Sequence, residues 1–335
     1  MIVQDTWTLL QEDSVNVDSG YISRRFLPEV PYDVYLAIEK PSNTRLLMIR
    51  VNASSAGRST AYPASSGFEV RRAVLQGDSP ANITLQLVLI NSRYSDIFTV
   101  LVQDIIDHLA SINDERIAVT AFIERLQRWQ IFLEKHNPEG LSEEAQQGLY
   151  GELWCLRQLV IPSFGVQGVR CWTGPHRDAQ DFQFNNLAIE VKTTATKQPE
   201  KLAISNEHQL DNTSGKTLIL LHLALDARHG EGETLPEMVE SIRLIVDSEL
   251  AFRKAFEALL FEAGYLNSHS ARYEQSRYTE RGRSYFKVEE GFPRIIGSNL
   301  QPGIAEVRYT IKISHCKQFS VSEFEFLSLL GGKNE

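Results

Sequence analysis

The chain has 335 residues, 42% of them apolar and 23% charged, which is the balance of an ordinary globular protein long enough for two or three compact units. Its formal charge of -9 excludes wholesale coating of nucleic acid, because phosphate binding needs positive surface, so any such contact must be a local patch. No apolar run approaches the roughly 20 residues that cross a bilayer, the opening residues lack a secretory pattern, and three scattered cysteines fit neither a disulfide framework nor a zinc site, so a soluble cytoplasmic protein is expected.

In chain order, Val34 to Glu39, Thr44 to Val51 and Ile83 to Ile90 read as strands, and residues 1–110 as a β-rich region. Helical periodicity begins near Asp96 and resumes after Asn113-Asp114, with Ile117, Phe122, Leu126, Trp129 and Leu133 near a 3.6-residue period. His136-Asn137-Pro138 ends that helix. Ser142 is a plausible N-cap, with Glu143 and Glu144 in the first turn and Leu149, Leu153, Leu156 and Val160 as the apolar stripe behind them. Short strands follow at Asp181 to Phe184, Leu187 to Lys192 and Leu202 to Ser205. The strongly apolar Thr217 to Leu225 reads as a buried central strand. Residues 111–230 thus form a helical lead-in and an α/β core. After Gly230-Glu231-Gly232-Glu233, a long helix from about Pro236 to Ala263 and a strand at Ala305 to Ser314 make 231–335 a mixed C-terminal region packing on that core.

The chemistry lies in the first two of those short strands. Asn185-Asn186 suits a two-residue hairpin turn, because asparagine tolerates the positive φ such turns demand. That loop pairs Phe182 with Ile189 and sets Asp181 opposite Glu190. Alternation then puts Leu187, Ile189 and Val191 with Phe182 and Phe184 on one face, and Glu190 and Lys192 with Asp181 on the other. Two opposed carboxylates repel by about 3 to 4 kcal/mol at an effective dielectric near 20. Lys192 offsets part of this, and a hard divalent cation between the oxygens would offset the rest. Glu152, on the mostly apolar stripe of the preceding helix, either joins them as a third carboxylate or snorkels to solvent. Glu-x-Lys alone is expected about once by chance in a chain this long. The conjunction of helix, hairpin, lysine and following strands is what points to a site rather than a solvated strand face.

On these residues the chain resembles the PD-(D/E)XK nuclease superfamily, and more closely a family of bacterial proteins grouped with it on that motif and found in restriction and phage-defence neighbourhoods. The carrying blocks are Gly148-Leu149-Tyr150-Gly151-Glu152-Leu153, Asp181-Phe182, Ile189-Glu190-Val191-Lys192-Thr193-Thr194, Ile204-Ser205 and Gln209-Leu210. A looser echo runs through Phe292-Pro293-Arg294-Ile295 and Val307-Arg308-Tyr309. The resemblance implies an αβββαβ, restriction-endonuclease-like core. It implies Mg²⁺, with Mn²⁺ as a substitute, held by Asp181, Glu190 and the Val191 carbonyl. Lys192 would position or activate the attacking water, and Glu152 matches the helix glutamate of many members. Gln209 matches a glutamine near the site in some branches, or is a helix surface residue. Gln180 stands where the motif has its proline. The implied activity is metal-dependent hydrolysis of DNA phosphodiester bonds in a restriction or phage-defence system. The implied partners are DNA and an ATPase, helicase or methyltransferase of the same system, with a homodimer left open.

Two basic stretches lie outside the motif. Arg272, Arg277, Arg281 and Arg283 alternate with Tyr273, Tyr278 and Tyr285, which suits a DNA-facing segment in which cations meet phosphate and rings stack on bases; a solvated or salt-bridged surface is the plain alternative. Arg170, His176 and Arg177 stand just before Asp181, either near a phosphate or on a surface loop. Two rival readings of the whole chain remain: a catalytically weak nuclease fold that binds DNA or assembles a defence complex, and a scaffold whose motif is coincidental.

Overall fold

The computed structural model describes residues 3–12, 18–56, 62–75, 77–79, 81–176, 178–195, 200–212, 215–228 and 230–331. Arg177 therefore lies outside the described residues. The chain divides into two compact units, Met1–Glu139 and Gly140–Glu335.

The first unit starts with helix α1 (Val3–Glu12) and continues with strands β1 (Gly20–Arg25), β2 (Asp33–Lys40), β3 (Thr44–Asn52), β4 (Phe68–Ala73) and β5 (Asn82–Leu89). They form one antiparallel sheet in the order β1-β2-β3-β5-β4. Helices α2 (Ser95–Leu109) and α3 (Glu115–Lys135) follow, α3 capped by Asp114, whose side chain accepts from two first-turn amides. Trp7 stacks on Phe98, and the Trp129 indole donates to Asp104, which Arg125 also grips. Strands β2, β3 and β5 lie where the apolar alternation puts them. Strands β1 and β4 escape that reading because they are sheet edges carrying Arg24, Arg25, Arg71 and Arg72, and charge is how sheets blunt an edge. Ile117 is 59% exposed; the buried stripe of α3 is instead Ala118, Phe122, Leu126, Trp129 and Leu133. Because α3 packs on α2, the helical lead-in expected with the second region belongs to the first unit, which ends at Glu139 rather than near residue 110.

The second unit opens with α4 (Glu143–Cys155), capped by Ser142 as expected. One wider, π-type turn, Leu156–Val160, leads into α5 (Ile161–Phe164). The widening suits Pro162, which lacks an N–H and crowds the carbonyl four residues back. Strands β6 (Phe182–Gln183) and β7 (Leu187–Thr194) form the hairpin, with Phe182 opposite Ile189, Gln183 opposite Ala188 and the Phe184 N–H on the Leu187 carbonyl. After β8 (Lys201–Ile204) comes β9 (Thr217–Arg228), which runs parallel to β7. The rest are β10 (Glu233–Thr234), α6 (Leu235–Val246), α7 (Leu250–Glu262), α8 (Ser270–Tyr273), β11 (Arg277–Lys287), β12 (Tyr309–Lys312), β13 (Ser320–Val321) and α9 (Glu323–Gly331). The main sheet has the order β10-β11-β9-β7-β6, with β13 also on β11, so β9 is central.

One face of this sheet, through Ile189, Val191, Ile219, Leu221 and Leu223, packs with Leu149, Leu153 and Leu156 of the first helix and with α6 and α7. The other face, through Ala188, Leu218, Leu220 and Phe286, packs on the β8–β12 pair. Gly151 explains how closely α4 rides on β7. A Cβ there would stand 2.2 Å from the Thr193 methyl, so only glycine lets the helix approach and bring Glu152 to the sheet.

Two expectations need correction. The αβββαβ order is met in α4, the hairpin and β9, but β8 leaves the main sheet for β12, and residues 206–210 form turns rather than the short helix. The long C-terminal helix is two, because Glu249 adopts an extended backbone between α6 and α7. Residues 231–335, expected to pack on the core, also contribute to it: β11 pairs with β9 along almost its whole length and so belongs to the core sheet.

Candidate active site

Glu190 is fully buried, at 0% exposure, so the solvated-face alternative for it does not apply. Its Oε1 lies 2.8 Å from Lys192 Nζ, yet neither carboxylate oxygen has a partner in good hydrogen-bonding geometry. Asp181 enters from the other strand of the hairpin. Its Oδ2 accepts from the Val191 N–H at 2.7 Å, and its carbonyl accepts from the Thr173 and Gly174 amides. Glu152 completes the group by an Oε2 that accepts from the Trp172 indole at 2.7 Å. It does not snorkel. Glu152 Oε2 and Asp181 Oδ1 face the same space above Gly174: a Cβ on that glycine would stand 2.7 Å from one and 3.0 Å from the other.

Lys192 closes the other side. Its Nζ reaches Gln209 Oε1 at 3.1 Å, and the same oxygen accepts from the Ser205 N–H at 2.8 Å. Gln209 thus sits in a turn aimed at Lys192, not on a helix surface. In the parallel pairing Lys192 lies beside His222, whose Nε2 is 2.8 Å from Thr194 Oγ1. Burial lowers His222 to about 4, so at neutral pH an uncharged imidazole neighbours the lysine.

These contacts set the electrostatics. Burial pushes Glu190 up to about 8, and Asp181 adds to the rise against the opposing pull of Lys192. Burial likewise raises Asp181, opposed by Lys192 and by the Val191 N–H, and raises Glu152 well above the usual carboxylate range with Asp181 adding to it. Burial alone would lower Lys192, but Glu190 first and Asp181 second hold it above its ordinary value. Three carboxyls at neutral pH therefore hold their protons more tightly than carboxyls in water. In the unfolded chain Glu190 loses its proton near pH ~4.3, the ordinary glutamate value. The native state keeps it until about 8, so between those values the folded protein binds more protons and stability falls as pH rises. We expect urea midpoints in EDTA to decline from pH 5 to pH 8, by at most about 1.4 kcal/mol per pH unit for one proton. Glu190→Gln should flatten that decline. Parallel profiles for the two proteins would contradict it.

Among the described residues, no group of three or more acidic, histidine or cysteine side chains is placed so that it could hold a metal ion. The donor set nonetheless fits a hard divalent cation, which prefers carboxylate oxygen. Glu190 is buried beside Asp181, and the Glu152 and Asp181 oxygens both border the space above Gly174.

The basic, tyrosine-rich stretch fares differently. Tyr273, Tyr278 and Tyr285 are buried at 1%, 3% and 3%, so the expected stacking of these rings on bases does not hold. The reason is a β-bulge at Glu280 to Gly282, which adds one residue and brings Tyr278 and Tyr285 to the same core face. Arg277 pairs with Glu237, Arg281 with Glu200 and Asp226, and Arg283 with Glu323 and Glu280 while lying over the Trp154 ring. Arg272 stands in α8. Arg170 lies over Phe252, and His176 pairs with Glu262. Among the described residues, none of these contacts is with Asp181, Glu190 or Glu152.

Trp172, Gly174 and His222 are the site's neighbours that sequence reasoning missed, and Gln180 was noted without its role. His222 left one trace, a single polar residue inside the apolar run Leu218 to Leu225.

A helix, a hairpin and a parallel strand that gather aspartate, glutamate and lysine at one sheet define a PD-(D/E)XK-like α/β protein. The model of the family described as "Putative PD-(D/E)XK family member, (DUF4420)" matches residues 3–314, and the chain belongs to that family. No curated protein and no solved structure matches the chain. Among the described residues no helix is long and apolar enough to cross a membrane.

Proposed function

We propose that this protein is a metal-dependent endonuclease that hydrolyses DNA phosphodiester bonds, with Asp181 and Glu190 as cation ligands, the Val191 carbonyl as a further ligand, and Lys192 beside the attacking water. The observation that carries the reading is Glu190: a fully buried carboxylate facing Asp181, with the Lys192 ammonium 2.8 Å from its Oε1. Such a group is costly to bury unless it works with a cation. A divalent cation, when bound, supplies charge neutralisation at the phosphoryl oxygens and a lowered pKa for water.

The chain's own residues do the remainder. Val191 and the Thr173–Gly174 amides fix Asp181, so its Oδ1 stays turned toward the space above Gly174. Trp172 does the same for Glu152. Gln209 holds the Lys192 ammonium at one edge of the group, where it adds positive charge as negative charge develops on the phosphate. DNA as substrate, a role in restriction or phage defence and an ATPase or methyltransferase partner follow from the family resemblance and form part of the proposal.

The second reading, a catalytically weak DNA-binding or assembly subunit, draws on one observation. Asp181 Oδ2 and Glu190 Oε1 each already have a neighbour within the protein, Val191 N–H and Lys192 Nζ. Incubation with linear, circular, nicked and single-stranded DNA, with Mg²⁺, Mn²⁺ or EDTA, separates the two. We expect cleavage that EDTA and Glu190→Gln both abolish. DNA binding without cleavage under every condition would favour the second reading.

A further inference from the structure

Gln180 occupies the place where the motif has its proline, and it is 5% exposed, with its whole amide enclosed. Its Nε2 donates to the carbonyls of His208, Gln209 and Asp211, at 3.1, 3.4 and 3.3 Å. Its Oε1 accepts from Gln183 Nε2 at 2.7 Å, and Gln183 Oε1 accepts in turn from Lys216 Nζ at 2.8 Å. The direction of this chain is fixed at both ends. An ammonium only donates and a carbonyl only accepts, so both amides have a single orientation that satisfies every member.

The turn that Gln180 grips is the one that carries Gln209. Gln209 Oε1 in turn takes hydrogen bonds from Lys192 Nζ and from the Ser205 amide. We infer that Gln180 is a positioning residue: through three backbone carbonyls it holds the 206–211 turn against the hairpin, so that Gln209 meets Lys192 beside Glu190. This rests on the nuclease reading only for its catalytic consequence; the positional part stands on the hydrogen bonds alone. A proline at this place would supply no donor to the turn, so the departure from the motif is where this chain gains a clamp between its hairpin and its lysine partner.

The test is a double-mutant cycle read at two places. Gln180→Glu keeps the shape and the acceptor toward Gln183 but removes every donor to the turn; Gln180→Met does so without adding charge and guards against a folding failure. The first readout is hydrogen exchange at the Ser205 amide, which reports whether Gln209 is in place and needs no activity. Gln209→Ala and each Gln180 variant should speed that exchange at least about tenfold, and the double variant no more than either, with β9 amides unchanged. The second readout is DNA cleavage in Mn²⁺. Here kcat should fall by a similar factor in Gln180→Met and Gln209→Ala, without further loss in the double variant and with KM unchanged. Protected Ser205 in both Gln180 variants, or multiplicative losses in the double variant, would overturn the inference. If the wild-type protein cleaves nothing, the nuclease reading fails while the exchange cycle still decides the clamp.

Discussion

In EDTA, Asp181→Asn should melt at or slightly above the wild-type temperature, Asp181→Ala several degrees below Asp181→Asn, and neither should gain stability from Mg²⁺ or show cleavage. Two opposing effects decide this. Asp181 raises both Glu190 and Glu152, so removing its charge relieves repulsion in a buried site. It also satisfies the buried Val191 N–H, and an orphaned backbone donor costs about 1 to 3 kcal/mol. Asparagine relieves the repulsion and keeps an acceptor for Val191; alanine relieves it and loses the acceptor. The two variants should therefore differ by about 1 to 3 kcal/mol, the hydrogen bond alone. Wild-type protein should gain about 2.7 kcal/mol when the cation is at a hundred times its dissociation constant. An Asp181→Asn variant that melts far below wild type in EDTA would make Asp181 a structural residue and overturn the site.

The second large effect concerns a residue with no functional side chain. Gly174→Ala should lower affinity for Mn²⁺ by about tenfold to a hundredfold, the range seen when the surroundings of metal ligands are disturbed, and abolish cleavage. Its methyl would stand 2.7 Å from Glu152 Oε2 and 3.0 Å from Asp181 Oδ1, in the space where the two carboxylates face each other. Neither carboxylate has an easy retreat. Glu152 is tied to the Trp172 indole, and Asp181 is tied through its side chain to Val191 and through its carbonyl to the backbone of Gly174 itself. The fold should lose only about 1 to 3 kcal/mol, as for other small overpacking changes. Melting curves and Mn²⁺ calorimetry measure the two parts separately, and wild-type Mn²⁺ affinity in Gly174→Ala would remove the gap from the account.

Much of this site was legible because it depends on short-range rules. The Asn185-Asn186 turn, alternation on either side of it and the spacing from Glu190 to Lys192 are local, and they place Asp181 opposite Glu190 before any tertiary contact is known. Ser142 and the stripe from Leu149 to Val160 were legible for the same reason. What escaped depends on distant parts of the chain. The tyrosines of β11 read as an exposed ladder because the bulge at Gly282, which turns Tyr278 and Tyr285 to one face, has no signature beyond a glycine. The burial of Glu190 depends on the β8–β12 pair, two strands more than a hundred residues apart in the chain. The role of Gln180 escaped because its acceptors lie about thirty residues downstream, in a turn where the resemblance implies a helix.

Isothermal calorimetry of Mn²⁺ binding at pH 7, repeated in buffers of different ionisation enthalpy, reads cation binding and the Glu190 proton together. Burial holds Glu190 at about 8 in the metal-free protein, and a carboxylate must lose its proton to bind a cation. Mn²⁺ should bind with release of on the order of one proton per cation, and both the affinity and the proton release should be lost in Glu190→Gln. Absence of binding, or binding that releases no proton and survives Glu190→Gln unchanged, would contradict this expectation.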